Sequence, residues 1–293
     1  MTPPGRRRPG PPLAPAAAEL LRDLADPDVG LLDAGAIAIV CAHPDDETVG
    51  LGAQLPRLVG VRIVHVTDGA PADMRDAREH GFGTREAYAA ARRDELETAM
   101  ARAGIPPVRI SGLGVADQEA AQVLPGLARR LADLFEALEI GLVITHAYEG
   151  GHPDHDATCF AVHAAAALAR RRGRTPPSLL EMTSYHAGPD GDLVTGVFLP
   201  RRDCPETPLP LDEDAADLKR RLLACHRTQA ATLSQFRLET ERLRPAPDYD
   251  FLAPPHPGRP WYETFAWGMD LDRWLDLAAA ATADLGLEAP PWR

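Results

Sequence analysis

The sequence predicts an α/β fold: a Rossmann-like, largely parallel sheet flanked by helices, with a C-terminal elaboration. Three observations carry this reading. Short apolar runs alternate with helical stretches from residue 36 to about residue 185. Two polar clusters rich in His and Asp each follow one of those runs directly, and the regularity fades after Pro200. Strand and helix in alternation are the mark of βαβ units, whose crossovers cover both faces of a parallel sheet.

Taken in order, residues 1 to about 16 are rich in Pro, Arg and Gly and read as a disordered tail. A short helix spans 16–24, and a turn at 27–30 follows. Apolar runs at 37–41, 62–67, 108–111, 142–145 and 179–185 have the length and composition of strands. Between them, 85–102, 120–138 and 154–172 carry helical periodicity and many Ala, Leu, Arg and Glu residues. A helix over 212–227, continued to 236, precedes a Pro-rich passage, and an amphipathic helix over 271–285 closes the chain. With no clean linker, residues 17–293 read as one domain, 240–293 being its C-terminal extension.

Charge and cysteine usage narrow the function classes. A net charge of −12 argues against a nucleic-acid partner, because phosphate contacts need a basic surface. Cys41, Cys159, Cys204 and Cys225 form no CxxC pair, which fits reduced thiols better than a zinc ribbon or a disulfide framework. Prolines 9, 11, 12 and 15 interrupt any signal-peptide core, and no run reaches the length of a membrane span. The expectation is a soluble, cytoplasmic protein.

The chemistry concentrates in His43-Pro44-Asp45-Asp46-Glu47 and His152-Pro153-Asp154-His155. In a parallel sheet the functional crevice lies beyond the carboxyl ends of the strands, where both clusters fall. His43 and Asp46 are three apart across a turn stiffened by Pro44, a spacing that aims both at one ion. His152 and His155 are also three apart, at a helix start suited to Pro153, so both imidazoles face one cavity. Two His and one carboxylate, with positions left for water, are the usual ligand set of a hydrolytic zinc site. Mixed N/O ligation also accepts Fe(II), Co(II) or Ni(II).

These two motifs resemble those of the LmbE-like (PIG-L) deacetylases. Arg92-x-x-Glu95-Leu96, Gly114-x-x-Asp117 and the segment 219–229 support the resemblance, which covers roughly residues 36–235. It implies a Rossmann-like fold and a single divalent metal, Zn2+ as the expected cofactor. The activity it implies is removal of an acyl group, usually acetyl, from an N-acetylglucosamine-type sugar. The partner is then a small-molecule N-acyl amino sugar or glycoconjugate. Carried over residue by residue, it makes His43, Asp46 and His155 the metal ligands and Asp45 the general base. His152 faces the acyl oxygen, and Arg92 and Asp117 contact the sugar, a structural salt bridge being the other reading for Arg92. Read from the residues themselves, Asp154 bonds one of the two His side chains and fixes its tautomer. Asp68, after the second strand, faces the same crevice and is a candidate either for a substrate hydroxyl or for capping a turn.

Plainer roles stand beside these. Glu47 suits the first turn of a helix or supports Asp46. Gly50 and Gly52 suit close packing of helix on sheet, since no GxGxxG accompanies them. His65 and His146 read as satisfied core histidines, His163 as a helix residue, and His186 as a weaker site candidate. Gly150 and Gly151 stand before His152 where some relatives have a larger residue, so no tyrosine is assigned to catalysis, although Tyr148 lies slightly earlier in the chain. His226 and Gln229 either form a rim over the substrate or pack the later helix, and Trp261, Tyr262, Phe265 and Trp267 are taken as core, with stacking on a sugar ring as the other reading. Two other activities fit the sequence: an amidase cleaving a larger acyl group or a thiol-sugar conjugate, and a non-catalytic metal-dependent carbohydrate binder. Asp45 argues against the binder, which needs ligands but no spare base.

Overall fold

Every residue of Ile37–Cys41 is buried, which requires protein on both sides of the strand. Ile37, Ile39 and Cys41 join one hydrophobic core and Ala38 and Val40 the other, sorted by the two-residue period of a strand. The structure, a computed structural model, describes residues 15–202, 204–290 and 292. The expected tail therefore lies outside the described residues up to residue 14, and residues 15 and 16 already open a helix.

The strands are β1 (Leu32–Asp33), β2 (Ile37–Cys41), β3 (Leu58–Val59), β4 (Arg62–Pro71), β5 (Ile110–Asp117), β6 (Leu142–His146), β7 (Ser178–Met182), β8 (Tyr185–Ala187), β9 (Leu193–Thr195), β10 (Thr207–Pro210) and β11 (Thr240–Pro245). The helices are α1 (Pro15–Ala25), α2 (Asp46–Leu51), α3 (Arg75–Glu79), α4 (Arg85–Arg102), α5 (Leu124–Ala137), α6 (Pro153–Arg171), α7 (Glu213–Leu223), α8 (Ala230–Leu233) and α9 (Leu271–Asp284).

Seven strands form the central sheet in the order β10-β11-β7-β6-β2-β4-β5. The five strands read from the sequence pair in parallel, and β11 and β10 add antiparallel pairs at one edge. The expected extension from residue 240 thus begins inside the sheet. Its charged side chains are buried there: Glu241 meets Lys219 Nζ at 2.9 Å, and Arg244 meets Glu181 at 2.8 Å and Glu149 at 3.1 Å. Lys219 also donates to the Val49 carbonyl at 2.6 Å, tying α7 to α2.

The core containing Ile39 and Leu180 takes in residues of α1, α2, α4 and α7, and that containing Val40 takes in residues of α5, α6 and α9. Gly50 permits the close seat of α2, since a Cβ there would run into the Met182 side chain on β7. No helix among the described residues is long and apolar enough to cross a membrane. The carboxyl ends of β2, β5 and β6 converge, delivering His43, Asp117 and His146 to one place.

Candidate metal and catalytic site

The chain leaving β2 makes a tight turn in which the backbone N–H groups of Asp45 and Asp46 both reach the His43 carbonyl, at 3.0 and 3.3 Å. Asp45, at φ 154° and ψ −23°, sits in a region that L residues rarely adopt, a conformation held only where its surroundings enforce it. The turn folds Asp46 back so that its Oδ2 accepts from the His43 backbone N–H at 2.7 Å. Asp46 starts α2, where the partial positive charge of the helix end favours a carboxylate.

Around Asp46 stand three imidazoles. His43 Nδ1 lies 3.4 Å from Oδ2, His155 Nε2 3.2 Å from Oδ1, and His146 Nε2 3.2 Å from Oδ2. The other nitrogen of His43 faces only carboxylates: Asp117 Oδ1 at 3.1 Å and Asp154 Oδ2 at 3.3 Å. Carboxylates accept and do not donate, so the proton of neutral His43 belongs on Nε2 and its Nδ1 is bare. His155 Nδ1 lies 3.3 Å from Ser184 Oγ, a partner able to take its N–H and leave Nε2 bare as well.

Burial lowers the His43 imidazole, but Asp117, Asp154 and Asp46 outweigh it and hold the ring well above the ordinary histidine range. A cation among His43 Nδ1, His155 Nε2 and the Asp46 carboxylate would take the place of the proton those carboxylates hold there. Ligands at roughly 2.0–2.1 Å from a tetrahedral ion stand about 3.3 Å apart, and His43 Nδ1 and His155 Nε2 lie 3.4 and 3.2 Å from the two oxygens of Asp46, Oδ2 and Oδ1 respectively. Each of these His side chains also has an outer partner for its second nitrogen, as ligating histidines do. The donor atoms of His43, Asp46 and His155 all fall within 4.8 Å of one another. A second set, His43, Asp117, His152 and Asp154, meets the same criterion but shares His43 Nε2 hydrogen bonds already made. The residues fit a divalent ion best at the first set.

Asp45 points away from that set. Its Oδ2 accepts from Arg92 Nη2 at 2.9 Å, and Arg92 is fixed in turn by the carbonyls of Gly69 at 2.6 Å and Pro44 at 3.3 Å. Burial pushes the Asp45 carboxyl up to about 7, against the lowering pull of Arg92 and with Asp46 adding to the rise. Gly69, at φ +69°, is required here: a Cβ would stand 2.5 Å from Arg92 Nη1.

His152 caps α6, its Nδ1 accepting the Asp154 backbone N–H at 3.1 Å. An occupied Nδ1 puts the proton of the neutral ring on Nε2, which lies 3.9 Å from Asp117 Oδ1. Burial, reinforced by the neighbouring His43, holds His152 well below the ordinary histidine range, so the ring is a neutral donor. Burial raises the Asp117 carboxyl, but the charge and hydrogen bond of His43 outweigh it and hold Asp117 below the usual carboxylate range.

His43, Asp45, Asp46, Arg92, Asp117, His152 and His155 line one cavity. Other residues singled out in the sequence make different contacts. Asp68 is absent from the cavity wall: it pairs with Arg85 and caps the Ala70 N–H at 3.1 Å. Arg92 is buried and its guanidinium is engaged by Asp45 and two carbonyls, so it anchors the acid more than it offers a free contact. Asp154 bonds neither His152 nor His155 through its side chain. Its carboxylate meets His43 and the N–H groups of Gln118 at 2.6 Å and Ala120 at 3.0 Å. Tyr148 is turned into the core, bonded to Ala253 O and Trp274 Nε1. Glu47 bonds His65 at 2.8 Å and Thr48 at 2.8 Å beneath the turn.

The sequence reading missed three contributors. His146 is no ordinary core histidine: it stacks on His155 at 4.0 Å and touches Asp46, as its place at the end of β6 could have suggested. Tyr185 and Trp267 line the cavity, which His146 does not, though Trp267 was expected in the core. Gln229 lies on the rim as expected, whereas His226 is buried outside the lining.

Residues 38–166 match the family described as PIG-L: GlcNAc-PI de-N-acetylase. No curated protein matches the chain. Among solved structures, the A40926 pseudoaglycone deacetylase superposes with a TM-score of 0.54 at 20% identity, over 73% of this chain and 97% of that one. The zinc-inhibited form of teicoplanin deacetylase gives 0.52 at 17% identity, over 71% and 97%. A conserved protein from Thermus thermophilus gives 0.50 at 19% identity, over 71% and 93%. At these identities the three structures establish a shared fold.

Proposed function

We propose, from the premise that residues 38–166 form a PIG-L (LmbE-like) domain of the deacetylase type, that the chain is a metal-dependent hydrolase. It removes an acetyl or other acyl group from an N-acyl amino sugar or its conjugate. The observation that carries this reading is the division of labour in one turn: Asp46 faces His43 Nδ1 at 3.4 Å and His155 Nε2 at 3.2 Å, while Asp45, one residue earlier, pairs with Arg92. A site built only to bind would not need that separate acid. We take the enzyme to be cytoplasmic, with its four cysteines buried, and residues 17–293 to act as one unit.

A divalent ion held by His43, Asp46 and His155, Zn2+ in the first instance, would polarise the amide carbonyl and bring the pKa of a water to about 7. Asp45 takes the proton of the attacking water, and Arg92 keeps that carboxyl in place. As the carbonyl oxygen gains charge, the His152 Nε2–H donates to it, a contribution whose loss costs on the order of a hundredfold or more. Asp117 and Asp154 hold His43 in the tautomer that leaves Nδ1 free. The oxygen of water bonds to the carbonyl carbon, the C–N bond breaks, and Asp45 returns the proton to the departing nitrogen. The products are a carboxylate and a free amine.

Asp45→Asn tests the assignment. Turnover of an N-acetylglucosaminide should vanish while bound metal, measured by elemental analysis, stays at the wild-type level. Full activity in that variant would sink the mechanism.

A further inference from the structure

Trp267 stands against the catalytic residues, its ring 4.6 Å from that of His152 and inclined at 51°. Phe265 stacks on it almost parallel, at 4.2 Å and 8°, and Trp261 meets Phe265 edge-on at 6.0 Å and 77°. The three rings form a ladder: Trp267 lines the cavity, Phe265 beyond it is exposed, and Trp261 at the far end is half-buried. Phe265 is 42% exposed, although a core role would have hidden it. The segment that carries the ladder lies outside the matched residues 38–166, and it is fastened to the site: Trp261 donates its backbone N–H to Gly150 O at 2.7 Å, two residues before His152. Tyr185 and Phe236, 5.9 Å apart, also line the cavity, as do the charged residues Asp73, Arg75 and Asp76.

We infer that Trp267 and Phe265 form a specificity-determining subsite for substrates whose acylated sugar ring carries an apolar aglycone. This deepens the deacetylase reading and rests on it. An acyl carbonyl within reach of His152 Nε2 places the attached ring beside Trp267, and aromatic faces pack well against the C–H face of a pyranose. Whatever is joined to that sugar next meets Phe265, whose exposed face gains by being covered with apolar surface. Because the ladder is anchored beforehand, little ordering is needed on binding. Asp73, Arg75 and Asp76 offer partners for the sugar hydroxyls. The chemistry selects alkyl or aryl glycosides of an N-acyl amino sugar over the free monosaccharide.

The test compares octyl and methyl N-acetyl-β-D-glucosaminides on the metal-loaded enzyme and on Trp267→Ala, Trp267→Phe and Phe265→Ala. Wild type should favour the octyl glycoside in kcat/KM. Trp267→Ala should raise KM for the octyl compound roughly tenfold with a smaller change in kcat, and Trp267→Phe should restore most of it. Phe265→Ala should raise KM for the octyl compound several-fold more than for the methyl compound. Titration of octyl glycoside into wild type should change tryptophan fluorescence, and that change should shrink in Trp267→Phe. An octyl-to-methyl KM ratio that neither alanine variant moves would overturn the subsite and make the ladder mere packing. If neither glycoside is hydrolysed, the deacetylase reading fails, and the fluorescence titration still decides the subsite: no change on adding octyl glycoside refutes it.

Discussion

Arg92 Nη2 donates to Asp45 Oδ2 at 2.9 Å, and both side chains are buried. The acid of the proposed reaction is therefore positioned by one guanidinium that also ties Gly69 on β4 to the Pro44 turn. Arg92→Lys keeps the charge and loses the planar fork, which cannot be replaced by a point charge. We expect kcat to fall roughly 10- to 100-fold with the metal content unchanged, the usual scale for outer-shell partners. Wild-type kcat in that variant would show that Asp45 does not depend on Arg92.

Gly69 makes the same point from the backbone. Gly69→Ala adds a Cβ 2.5 Å from Arg92 Nη1 at a φ of +69°. Left-handed backbone costs an L residue about 1–2 kcal/mol before any clash is counted. The variant should lose at least that in chemical denaturation and should lose activity as well. Unchanged stability would mean that the loop relaxes freely.

The two overlapping donor sets make opposite predictions for metal content. With His43, Asp46 and His155 as the set, His155→Ala should leave the protein without stoichiometric metal, and His152→Ala should retain it while turning over slowly. Elemental analysis of the purified variants checks this. Metal lost from His152→Ala and kept in His155→Ala would move the ion to the set that contains Asp117 and Asp154.

A pH dependence of stability should arise away from the site. Burial pushes Glu149 and Glu181 each up to about 7, although Arg244 lies between them and lowers both. One guanidinium cannot offset two buried carboxylates, so the folded state keeps a proton that the unfolded chain releases near its ordinary value. Stability from this source is fully present below the unfolded pKa and is lost as pH rises through about 7. The loss is on the order of 3 kcal/mol between pH 5 and 8 for a shift of this size. Glu181→Gln, an isostere of the protonated form, should flatten the profile of denaturation midpoint against pH over that range. A profile as steep as wild type would contradict this account.

Much of the architecture is legible in the sequence because β2, β4 and β6, largely buried, each carry a short apolar run, at residues 37–41, 63–64 and 142–144. β11 escapes the same reading for a physical reason: Glu241 and Arg244 are buried as ion pairs, which removes the apolar pattern that marks a strand. β10 is hidden by Pro208 and Pro210, tolerated because it is an edge strand. At the site, His43 and Asp46 are close in sequence and share one turn, so their meeting is readable. Asp154 and Trp267 are different cases. Which imidazole Asp154 reaches depends on the position of β5 and the loop after it. Trp267 reaches His152 from far along the chain, a contact that no local pattern encodes.

The central claim is hydrolysis of an N-acyl amino sugar. Its most direct test is release of acyl product from a panel of N-acyl glucosaminides by the metal-stripped protein before and after Zn2+ is added back. Equimolar acetate and free amine are expected only after the metal is restored. Equal release without metal, or no release from any member of the panel with metal restored, would contradict it.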